Sequence, residues 1–152
     1  MLQKGDKAPE FTLTSDSGEQ VSLADLIGKK VVIYFYPKAG TSGCTRQACS
    51  IRDLYPRIKV NDIAVIGISP DAPKALAKFR EDHRLPFILL SDPDHAVAEA
   101  YGAWGPKTMF GQERQGIIRS HFAVDEHGVV LEAKYKVKPE QAAELAERLD
   151  QS

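Results

Sequence analysis

Two cysteines, one tryptophan and no long hydrophobic run set the first limits on this 152-residue chain. Two cysteines are too few for a four-ligand zinc site or a disulfide scaffold. No apolar stretch approaches the roughly 18 residues of a membrane span, and residues 1–20 hold no signal-peptide apolar region. A cytoplasmic location is therefore expected. Charge is not in excess either: 20 Lys and Arg against 21 Asp and Glu give a formal net charge of -1. With both signs interleaved, neither nucleic acid nor an anionic membrane is the expected partner. No repeat, low-complexity tract or linker interrupts the sequence. Residues 1–152 read as one domain, able to bury roughly two-thirds of its unfolded surface.

The pattern of apolar residues alternates between strand and helix. Phe11-Thr-Leu13 and Gln20-Val-Ser22 flank a turn-rich Ser15-Asp-Ser-Gly18 and predict a hairpin. Ser22 caps a helical turn through Ile27, ended by Gly28. Val31–Tyr36, Ile63–Ile68 and Phe87–Leu90 are near-continuous apolar runs, as in strands covered on both faces. Asp71–Asp82 predicts a helix with Leu76 and Phe79 on one face, and Asp92 can cap another over Asp94–Tyr101. Ile117–Val124 and Val129–Val137 flank a second hairpin turn at Asp125–Gly128. Pro139 opens a terminal helix with Ala142, Leu145 and Leu149 in one stripe. This order predicts an α/β fold, a three-layer α/β/α sandwich with a mixed central sheet.

Between the first long strand and a helix-like stretch from Thr45 to Val60 lies Pro37-Lys-Ala-Gly-Thr41-Ser-Gly-Cys44, with a second cysteine at Cys49. A cysteine in a helix's first turn sits where unpaired N–H groups and the macrodipole favour an anion. That favours thiolate, the nucleophilic form. Thr41 adds a hydroxyl nearby, and Pro37 fixes how the chain leaves the strand. The alternative for Cys44 is an ordinary buried thiol. For Cys49 it is a core thiol on the inner face of the helix. Residues five apart on an ideal helix have Cα atoms roughly 8–9 Å apart, whereas a disulfide needs about 7 Å or less. A static Cys44–Cys49 bond is excluded unless the helix unwinds. Arg119, inside an apolar run, calls for an anionic partner, either a carboxylate or something more reactive.

The pattern Pro-x3-Thr-x2-Cys resembles the active-site signature of the peroxiredoxins. Gly43-Cys-Thr-Arg-Gln-Ala-Cys-Ser-Ile-Arg-Asp53 looks like their Q-type, or bacterioferritin-comigratory, branch. Further matches are Leu89-Leu-Ser-Asp92, Tyr101-Gly-Ala-Trp-Gly105 and Gly116-Ile-Ile-Arg-Ser-His-Phe-Ala-Val-Asp125, so the likeness runs from about Gly5 to about Ala146. It implies a thioredoxin-like fold and a thiol-dependent peroxidase. Cys44 would attack a hydroperoxide held by Thr41, Gly43, Cys44 and Arg119. Cys49 would resolve the sulfenic acid as an intramolecular disulfide once the helix start melts, and a thioredoxin-like dithiol would restore both thiols. No cofactor is implied, since the thiol carries the redox chemistry, and a monomer is expected. Two other roles remain, a thiol–disulfide exchange protein and a non-enzymatic redox sensor.

Some residues carry less. His121 shares the strand parity of Arg119 and stands where the family usually has a small hydroxyl residue. His83, His95 and His127 are scattered among charges and turns, which makes a metal site from them improbable. Tyr34, Phe35, Tyr36 and Trp104 read as core or pocket wall. Gly102, Gly105 and Gly111 lack the strand and helix of a phosphate-binding loop.

Overall fold

The computed structural model describes residues 1–151. Its centre is a seven-stranded mixed sheet in the order β2-β1-β5-β4-β3-β8-β9. The strands are β1 Thr12–Ser15, β2 Gln20–Ser22, β3 Lys30–Phe35, β4 Ile63–Ser69, β5 Ile88–Ser91, β8 Ser120–Val124 and β9 Val130–Tyr135. β3, β4 and β5 run parallel, and the outer strands pair antiparallel. The parallel strands are apolar along their length because both faces are covered: residues 31–36 and 63–69 are all buried.

The two covers differ. Val32, Tyr34 and Tyr36 face α1 (Ser42–Lys59), α2 (Pro73–His83) and α4 (Gln141–Asp150). Val31, Ile33 and Phe35 face a thinner layer made by Phe11, Leu23 and the short α3 (Ala96–Ala100). The expected inward positions hold, with Leu76 and Phe79 buried on α2 and Ala142, Leu145 and Leu149 buried on α4. Ala48 and Ile51 seat α1 on the sheet, with Leu54 partly buried beside them. Full burial of a side chain the size of Ile51 stabilises the packing by roughly 1.5–3 kcal/mol. α1 also contains Pro56, which cannot donate to the Arg52 carbonyl as the helical pattern requires. α3 is shorter than expected; the buried Asp92 caps it from outside, accepting the Val97 and Ala98 N–H groups at 3.2 and 2.9 Å.

Ile117–Val124 is not one strand. Ile117 ends β7 (Gln112–Ile117), which pairs with β6 (Trp104–Met109) in a separate two-stranded ribbon. The chain then changes sheets at Ile118 and Arg119, where the Ser120 hydroxyl donates to the Ile118 carbonyl at 2.7 Å. Arg119 therefore lies at a joint and not within a strand. The ribbon has no apolar alternation to announce it, since residues 112–115 are exposed. Its turn, Phe110–Gly111, has positive φ at both residues, 52° and 76°, the handedness that tight two-residue hairpins require.

His121 is 1% exposed on β8, and its Nε2 lies 3.5 Å from Glu132 Oε2. That carboxylate is also held by Arg148 at 2.9 Å. Burial, only partly offset by Glu132, pulls the imidazole pKa from 6.5 down to about 4. As pH falls, the unfolded chain takes up this proton before the folded one does. The stabilisation is thus whole above about 6.5 and is lost between there and about 4, amounting to roughly 3 kcal/mol. Urea midpoints at pH 7 and pH 4.5 should separate more for this protein than for His121→Thr. Equal separations would assign the acid sensitivity to other groups.

Candidate active site

β8 runs antiparallel to β3, and Ser120 pairs with Phe35. The residue just before β8 therefore arrives beside the end of β3, where the chain turns into α1. This register brings Arg119 to Cys44 across 75 positions of sequence. The guanidinium Nη2 donates to Cys44 Sγ at 3.3 Å, and Nη1 donates to the side-chain oxygen of Gln47. Cys44 is 1% exposed, and both cysteines are free thiols.

Thr41 caps α1, so Ser42, Gly43 and Cys44 form its first turn, and the Thr45 N–H returns to the Thr41 carbonyl at 2.9 Å. The sulfur thus stands at the end of the helix where unpaired N–H groups concentrate, as the spacing predicts. Gly43 is tight against the guanidinium: a Cβ there would come within 3.3 Å of Arg119 Nη2 and 3.5 Å of Pro139. Pro37 is half-buried and follows Tyr36, whose N–H makes the last bond to β4, at Ile68. Its place is the exit from the strand, where the chain leaves the sheet for the loop before α1.

Thr41 stands at the mouth of this helix start. Its hydroxyl is exposed and donates to the Lys38 carbonyl at 2.7 Å, so its one proton is committed and its lone pairs remain. Cys49 is half-buried on the same continuous helix as Cys44. The fold as it stands holds the two thiols apart, in keeping with the helix geometry.

Gln47 is the residue that sequence reasoning misses. It is fully buried, one turn after Cys44 and on the same side of α1. Arginine only donates, so the bond from Arg119 fixes which end of the amide faces it. The Nε2 end has no partner among the described residues. The only signal in the sequence is the i,i+3 spacing from Cys44. Beneath the helix, burial raises the Tyr34 phenol far above its ordinary pKa, leaving it neutral. His121 shares the sheet face of the site, but its charged contacts are Glu132 and Arg148, not the thiol.

Residues 4–133 match the AhpC/TSA family. The peroxiredoxin Bcp of Escherichia coli K12 is 47% identical over 129 residues, covering 85% of this chain and 83% of that one. Peroxiredoxin Q of Xanthomonas campestris, solved as a cysteine-to-serine mutant, superposes with a TM-score of 0.87 at 32% identity, over 93% of this chain and 90% of the other. A second Xanthomonas campestris structure, of a bacterioferritin comigratory protein described for alkyl peroxide reduction, has a TM-score of 0.86 at 31% identity, with coverage of 93% and 90%.

Proposed function

Because this chain belongs to the AhpC/TSA family, among the peroxiredoxins of the Bcp or Q type with their thioredoxin-like fold, we propose that it is a thiol peroxidase acting on hydrogen peroxide and organic hydroperoxides. The observation that carries this is the guanidinium of Arg119 on the sulfur of a buried helix-start cysteine. A cation on a thiol favours thiolate in an exchange protein or a sensor too; what neither of them needs is a set of donors placed for a breaking O–O bond, and Arg119, held by Gln47 beside the helix start, is such a donor.

In the proposed cycle the Cys44 thiolate attacks one peroxide oxygen. The O–O bond breaks, water or an alcohol leaves with a proton, and Cys44 becomes a sulfenic acid. Ionising a thiol of ordinary pKa, about 8.5, gains at most about tenfold in thiolate at a pH of about 7.5. The larger contribution comes from groups placed for the charge that develops as the bond breaks. Arg119 and the N–H groups of Gly43 and Cys44 are the donors. Thr41, its proton committed to Lys38, accepts from the peroxide O–H and holds it in line. Cys49 then attacks the sulfenic acid, a disulfide forms and water leaves. A thioredoxin-like dithiol reduces it, becoming oxidised itself. Among the described residues no helix is long and apolar enough to cross a membrane, and the reading places the protein in the cytoplasm as a monomer.

A disulfide needs sulfurs about 2 Å apart, so α1 must lose its first turns. The opened form is a minor one in the reduced protein, because Ala48 and Ile51 are fully buried and their packing must be given up. In hydrogen exchange, amides 46–52 should be protected in reduced protein and fast in the disulfide form. Stopped-flow mixing of Cys49→Ser with peroxide should show a normal first turnover, then a stalled sulfenic acid that over-oxidises. A covalent dimer on a non-reducing gel, with the helix still protected, would mean that Cys49 reacts with a second chain.

A further inference from the structure

Two buried hydroxyls lie side by side where β4 and β5 end. Ser69 and Ser91 pair across the parallel strands, are 0% and 3% exposed, and both serve one aspartate. The Ser69 hydroxyl donates to Asp71 Oδ2 at 2.8 Å and accepts the Asp71 N–H at 3.3 Å. The Ser91 hydroxyl donates to the Asp71 carbonyl at 2.6 Å. Asp71 stands in the short connection between β4 and α2, and these bonds fix both its backbone and its side chain. The same Oδ2 accepts the Ala39 N–H at 2.7 Å, within the range of charge-assisted bonds to a carboxylate. That N–H belongs to the same peptide unit as the Lys38 carbonyl. The carbonyl accepts the Thr41 hydroxyl at 2.7 Å and the Thr41 N–H at 3.4 Å. Among the described residues, no other hydrogen bond joins residues 37–41 to an element beyond α1.

A peptide unit is planar, so holding its N–H end also orients its carbonyl end. A carboxylate bonded to the N–H polarises the unit and makes the carbonyl a stronger acceptor. We propose that Asp71 is a positioning residue for the peroxide step. It clamps the peptide unit between Lys38 and Ala39. The carbonyl of that unit keeps the Thr41 proton, and the lone pairs of Thr41 are left for the peroxide O–H. Asp71 thus acts through Thr41, from the far side of the loop. This assignment rests on the peroxidase reading above and adds a residue that sets the geometry of the same site.

Stopped-flow mixing of reduced protein with hydrogen peroxide reads this step directly. Asp71→Ala should react about tenfold more slowly than the parent, the scale of a misplaced contact in a preorganised site. Asp71→Asn keeps an oxygen for the Ala39 N–H and should recover to within about threefold of the parent. Replacing Ala39 by lactic acid deletes this N–H alone and leaves Asp71 in place. The same loss is expected there, so the test holds even if Asp71→Ala does not fold. A double-mutant cycle reads the route: in a Thr41→Val background, Asp71→Ala should cost less than about twofold more. A full additional loss in that background, no recovery in Asp71→Asn, or a lactic acid variant as fast as the parent overturns the positioning role alone. A parent protein inert to peroxide overturns the peroxidase reading and this role with it.

Discussion

Cys44→Ser protein is expected to consume no hydroperoxide while keeping its fold. The hydroxyl of serine is a far weaker nucleophile than a thiolate at neutral pH, and it cannot store the transferred oxygen as a sulfenic acid does. The substitution is nearly isosteric, so Ala48, Ile51 and the rest of the cluster around Cys44 should stay packed. A near-native urea midpoint together with loss of peroxide consumption, followed with a dithiol reductant, is the expected pair of results. Turnover that persists in this variant would remove Cys44 from the chemistry altogether. It would also remove the reason for Arg119 to sit where it does.

Arg119→Ala should slow the reaction with peroxide by roughly 10²-fold or more, the usual cost of losing one preorganised donor at a developing charge. Two bonds are lost at once, to Cys44 and to Gln47, so stability must be measured beside rate. Arg119→Lys should recover only part of the loss. A lysine carries a point charge and not a planar fork, and it cannot meet Sγ and the Gln47 oxygen in the same arrangement. If Arg119→Ala reacts within about threefold of the parent rate, the guanidinium is a structural tie and electrostatic stabilisation must come from the helix start alone.

The sequence shows these groups unequally, for physical reasons. The run from Val31 to Tyr36 and the stripes of α2 and α4 are legible because burial demands apolar residues at fixed periods. Cys44 is legible because a strand, a short loop and a helix start can be recognised locally. The meeting of Arg119 with Cys44 is not local. It depends on Ser120 pairing with Phe35, a register that periodicity does not reveal, and only the family resemblance anticipates it. Thr41 is legible as a hydroxyl near the thiol, but nothing in the string shows that its proton goes to Lys38. Gln47 gives no sign of itself because an amide on a helix carries no burial signal of its own. The β6–β7 ribbon is silent for the opposite reason, since a strand pair left in water needs no apolar pattern.

Pro56 divides α1 into two lengths. Helices hold together because each rung supports the next, and the rung between the Arg52 carbonyl and residue 56 does not exist. Before it stand Cys44, Gln47, Cys49 and Ile51. Beyond it, Ile58 is buried in the core and Arg57 is tied to Glu147 of α4 at 3.2 Å. A rupture that begins at Ser42 must break the Arg46–Glu140 pair, 3.4 Å, at the start of α4, and it meets a seam before it reaches the Arg57–Glu147 tie. In the proposed cycle the front of the helix would come apart and re-form while the rear stays docked. The sheet beneath then keeps most of its cover, and little apolar surface is offered to other chains during repair.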